Sequence, residues 1–141
     1  MSLPELYRPS LTLLTHLYQL TMAYGYWKTG VKEKEAAFNL YFRSNPFGGG
    51  YTITCGTAYI VDYLEGLRFD EADIAYLAEL RGNDGAPLFE PAFLDDLLKL
   101  TFTCDVDAMP EGTVVFPHEP LVRVTGPMLQ AQVLEEYFYM A

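Results

Sequence analysis

Apolar positions recur along this chain with two different periods, and its elements follow from where one period gives way to the other. From about Thr15 to Lys28 the residues Leu17, Leu20, Tyr24 and Trp27 fall at helical spacing and define one apolar face. Thr15 stands where an N-cap belongs and Gly30 where a helix stops. Ahead of this helix, Met1–Leu14 is an entry segment whose first part is kept irregular by Pro4 and Pro9. Over Ala36–Arg43 the period changes to two: Phe38, Leu40 and Phe42 alternate with Ala37, Asn39 and Tyr41, a strand pattern. Ser44–Gly50 is a glycine-rich turn, and Tyr51–Cys55 is a short second strand. Helical spacing returns over Thr57–Leu67, with Tyr59, Ile60, Tyr63, Leu64 and Leu67 on the buried side. It continues over Asp70–Leu80, which starts with acidic residues suited to a helix N-terminus. After a loop at Asn83–Pro87, Pro91–Leu100 forms another helix with proline at its tolerated early position.

Beyond Leu100 short strands dominate. Phe102–Asp107, Val114–Phe116 and Leu121–Val124 are separated by the turns Pro110-Glu111-Gly112 and Pro117–Pro120, and Gly126-Pro127 ends the last of them. A final helix begins near Met128. The pattern predicts an α+β fold, with helices packed on short, mostly antiparallel strands. The final helix has no stop signal, and Val133, Leu134, Tyr137, Phe138 and Met140 keep it apolar to Ala141. This predicts a domain over residues 1–127, with 128–141 opening a helix that leads into a further domain, and an apolar patch where that domain would pack.

Charge narrows the choice of partner. The chain of 141 residues carries a net charge of −10, and its nine Lys and Arg are scattered, so a nucleic-acid-binding face is excluded. Aromatic residues reach 15%, which points to broad buried faces or an interface. No apolar run approaches membrane length and no signal pattern opens the chain, so the expected compartment is the cytosol. Cys55 and Cys104 lie in no CxxC pair or zinc pattern and read as buried structural thiols.

Candidate chemistry is sparse. There is no nucleophile–base set, no Walker loop, no GxGxxG and no metal-ligand cluster, so neither a catalytic residue nor a metal ligand is assigned. Asp95-Asp96 and Glu135-Glu136 read as solvated helix edges, Asp105 and Asp107 as a solvent-facing strand edge, and His118 as a turn residue between prolines. Two stretches carry more. Tyr18, in LLTHLYQLTM, sits in the first turn of a helix, where unpaired N–H groups favour anions. Arg43 ends a strand and enters SNPFGGG, and a guanidinium beside a glycine-rich loop suits phosphate. A core tyrosine, a surface arginine and a tight hairpin remain the plainer readings.

LLTHLYQLTMAYGYW, YFRSNPFGGGY, PEGTVVFPHEPLVRVTGP and LQAQVLE, in this order, resemble the N-terminal region of nicotinate phosphoribosyltransferases from about Leu11 to Tyr137. The resemblance implies an N-terminal α+β domain followed by an irregular α/β barrel, in a homodimer with sites across the subunit interface. It implies an enzyme that joins nicotinate to 5-phosphoribosyl 1-diphosphate, giving nicotinate mononucleotide and diphosphate in NAD salvage. ATP hydrolysis, with Mg²⁺, drives the reaction through a phosphorylated histidine. Carried onto this chain, Tyr18 reaches the pyridine ring, Arg43 lies near phosphate, and Pro46, Phe47, Gly48 and Gly49 shape that edge of the site. His16 stands beside Tyr18 where the family usually has Asp; it loses the favourable interaction of a carboxylate with the helix N-terminus and alters the hydrogen bonding there. The catalytic groups and the ligands of ATP and Mg²⁺ belong to the barrel, so the segment alone is expected to bind neither cofactor and to lack activity. Other readings are a nicotinamide- or quinolinate-specific relative, against which YFRSNPFGGG weighs, and a non-catalytic dimerisation or interaction domain.

Overall fold

Helix α1 spans Leu17–Lys28, and its C-terminus follows from a single glycine. Gly30 takes a φ of +74°, its N–H donates to the Trp27 carbonyl at 3.2 Å, and the Val31 N–H donates to Tyr26 at 3.0 Å. These two bonds satisfy carbonyls the helix leaves open. The computed structural model containing this helix describes residues 11–140. The predicted irregularity around Pro4 and Pro9 lies outside those residues, as do the side chains of Phe138 and Met140.

The N-terminal end of α1 differs from expectation. His16, not Thr15, is the N-cap, and its side chain makes no capping bond, while the Thr15 hydroxyl is buried without a hydrogen-bond partner among the described residues. The buried face is also rotated: Gln19, Leu20 and Ala23 are buried, whereas Leu17 is exposed. Ala23 is fully buried, and so small a side chain lets a second helix approach closely.

Strand β1, Glu35–Leu40, pairs antiparallel with β5, Val122–Pro127, which in turn pairs with β3, Asp105–Ala108, giving the order β1-β5-β3. The register sets Phe38, Val124 and Val106 in one row and Leu40, Val122 and Ala108 in another. β1 stops at Leu40 rather than at Arg43 because continuing the register would set Pro120, which has no N–H, opposite Phe42. β5 in turn runs through Gly126 and Pro127, which the sequence places at its end. Gly126 answers a close approach, not a turn: a Cβ there would lie 2.9 Å from the Cα of Cys104. β3 starts at Asp105, later than Phe102, and Asp105 and Asp107 face solvent as expected. A second antiparallel pair joins β2, Thr52–Ile53, to β4, Val114–Val115.

Helix α2 covers Thr57–Gly66, α3 Glu71–Glu79, α4 Pro91–Leu98 and α5 Met128–Met140. Asp70 and Asp73 close a reciprocal capping box at the start of α3. On α2 the buried set is Ile60, Tyr63 and Leu64, with Leu67 just beyond; Tyr59 is exposed, contrary to expectation.

Two apolar cores result, and α5 lies between them. Ala131, Leu134 and Tyr137 enter the core formed with β5 and α2, where Tyr137 stacks on Tyr63 at 3.5 Å. Burial, then the neighbouring Tyr137 and Asp73, push the Tyr63 hydroxyl pKa upward. Leu129 and Val133 enter the other core, with α1, α3 and α4, where Tyr24 meets Phe93 at 5.0 Å and Phe89 edge-on at 5.6 Å. Val133, Leu134 and Tyr137 are therefore not an apolar patch awaiting another domain. They are 2%, 0% and 5% exposed within this one.

Two further readings change. Asp96 is not a simply solvated edge: it accepts from Trp27 Nε1 at 2.8 Å and from Lys32 Nζ at 2.6 Å, and these bonds, Lys32 first, hold its carboxyl below the ordinary range. Cys104 is buried, but Cys55 is exposed. Burial, then Asp105, pushes the Cys104 thiol up to about 11. A thiol reacts as its thiolate, so Cys55 is expected to take up iodoacetamide in the native protein and Cys104 only after denaturation. Mass spectrometry of the alkylated peptides checks this, and rapid native labelling of Cys104 would contradict it. Among the described residues no helix is long and apolar enough to cross a membrane.

Candidate substrate-binding site

Chain direction brings the two candidate stretches to one end of the domain. α1 runs away from His16, a six-residue connection turns the chain, and β1 runs back towards Tyr41. α5 leaves the far end, where the Met128 and Leu129 N–H groups donate to the Lys34 and Lys32 carbonyls, and returns beside α1. The start of α1 and the segment after β1 thus flank the end towards which α5 points.

Tyr18 occupies the first turn of α1, as expected, and is 49% exposed. His16 places its ring 6.2 Å from that of Tyr18, tilted by 30°, and its carbonyl accepts the Gln19 N–H at 3.0 Å. No acidic residue occupies the first turn.

Behind Tyr18 lies a buried polar network absent from the sequence reading. Gln19 is fully buried and its Nε2 donates to the Tyr18 hydroxyl oxygen at 2.7 Å and to Glu135 Oε2 at 3.3 Å. Gln132, 2% exposed, donates through Nε2 to the same Glu135 oxygen at 2.9 Å and to Gln19 Oε1, while its own Oε1 accepts from the Tyr26 hydroxyl at 3.3 Å. Glu135 is consequently a part-buried acceptor and not the solvated edge expected. The signal in the sequence was a glutamine inside each apolar run, LYQL and AQVL. A buried amide requires partners.

Arg43 lies three residues past β1, exposed, and no hydrogen bond, ion pair or ring contact joins it to Tyr18. A short 3-10 turn follows at Pro46–Gly48. Phe47 there has a φ of +57° and is fully exposed, and Gly48 has a φ of +68°. A left-handed, solvent-facing phenylalanine is uncommon, which makes Phe47 a candidate contact for a ligand or partner. Register adds an apolar face beside it. Ile53 opposes Val114, and Tyr51 and Phe116 follow on the same side, each 46–59% exposed. His118, left-handed at φ +68° and exposed, packs 5.9 Å from Tyr41 and is a turn residue as expected. Among the described residues no three His, Cys, Asp or Glu gather as metal ligands.

This α+β fold is shared with a phosphoribosyltransferase of known structure. The crystal structure of human nicotinic acid phosphoribosyltransferase matches with a TM-score of 0.75 at 41% identity, over 86% of this chain and 24% of that one. The chain belongs to the nicotinate phosphoribosyltransferase family: a profile described as the nicotinate phosphoribosyltransferase (NAPRTase) N-terminal domain matches residues 13–139. Nicotinate phosphoribosyltransferase 2 of Arabidopsis thaliana is 44% identical over 127 residues, 89% of this chain and 22% of its own length. The Homo sapiens enzyme is 41% identical over 133 residues, 94% of this chain and 24% of its own. The chain thus spans about a quarter of the curated relatives it matches.

Proposed function

We propose that this chain is the N-terminal part of an enzyme that transfers the phosphoribosyl group of 5-phosphoribosyl 1-diphosphate to the ring nitrogen of nicotinate. Diphosphate leaves as nicotinate mononucleotide forms, with ATP hydrolysis driving the step in NAD salvage. The observation that carries this reading is the family match over residues 13–139, with every named relative cited above a nicotinate phosphoribosyltransferase. In this reading Tyr18 offers its exposed ring face to the pyridine ring, and His16 borders it. Arg43 grips a phosphate, and Phe47, Gly48 and Gly49 wall that edge. ATP and Mg²⁺ are held by the rest of the enzyme. The working form is a cytoplasmic homodimer.

The test compares two proteins. The complete enzyme carrying this segment is expected to form nicotinate mononucleotide from nicotinate, 5-phosphoribosyl 1-diphosphate, ATP and Mg²⁺. The purified 141-residue chain is expected to form none. Failure of the complete protein to turn over nicotinate overturns the substrate assignment, and turnover by the isolated chain overturns the assignment of catalytic groups to the remainder.

A further inference from the structure

We draw no further inference here: the strongest candidate, the exposed apolar face that Tyr51, Ile53, Val114 and Phe116 form around β2 and β4 beside Phe47, carries nothing because nothing in the structure shows what covers it.

Discussion

Leu134→Ala is expected to lower the unfolding free energy of this chain by about 2–5 kcal/mol, a large part of the total stability of an ordinary domain. Leu134 is fully buried in the core that α5 forms with α2 and β5, beside Tyr137, Val122 and Val124. Truncation removes its apolar contacts and leaves a cavity that β5 cannot collapse into, because β5 is paired on both sides, to β1 and to β3. Urea denaturation followed by circular dichroism measures the change, with the midpoint falling while the slope stays constant. As an internal control, Phe47→Ala removes a fully exposed side chain from a left-handed position and is expected to leave stability within about 0.5 kcal/mol. If Leu134→Ala were equally silent, α5 would lie outside the core.

That helix shows where sequence patterns stop being informative. Its apolar residues occur on more than one side, and Val133, Leu134 and Tyr137 suggested an exposed patch, whereas they are buried within this domain. Periodicity records how apolar a face is, not which partner covers it. A helix between two cores is apolar on two sides for the same reason as a helix at an interface. Elsewhere local signals sufficed. Gly30 ended α1, Asp70 and Asp73 opened α3, and the alternation around Phe38 and Leu40 fixed which side of β1 faces inward. Strand ends were less legible because they depend on the partner: β1 ends where Pro120 interrupts the neighbouring chain, and β5 passes through Gly126 because Cys104 crowds it. Motif spacing singled out Tyr18 and the Arg43 loop as candidates, and the directions of α1, β1 and α5 set both towards one end of the domain. The support behind Tyr18 was hidden, since Gln19 and Gln132 look like ordinary polar positions until two helices bury them together.

In the complete enzyme, Tyr18→Ala is expected to raise KM for nicotinate at least tenfold, more than Tyr18→Phe does. The alanine variant loses both the hydroxyl and the ring face, and a stacked aromatic pair contributes about 0.5–1.5 kcal/mol beyond its buried area. Arg43→Ala is expected to act on the other substrate, raising KM for 5-phosphoribosyl 1-diphosphate roughly ten- to hundredfold, because a hydrogen bond to a charged group contributes about 1.5–3 kcal/mol. Arg43→Lys should recover only part of this, since an ammonium keeps the charge but lacks the planar fork that meets two phosphate oxygens. Neither position should matter much to the fold: Tyr18 is half exposed, and Arg43 is exposed and holds no ion pair among the described residues. Steady-state kinetics in both substrates, paired with melting curves, separate the roles. A Tyr18→Ala enzyme that melts far below the parent but keeps its KM would make Tyr18 a packing residue. An Arg43→Ala enzyme with unchanged affinity for 5-phosphoribosyl 1-diphosphate would leave the glycine-rich loop without its cation and move the phosphate contact elsewhere.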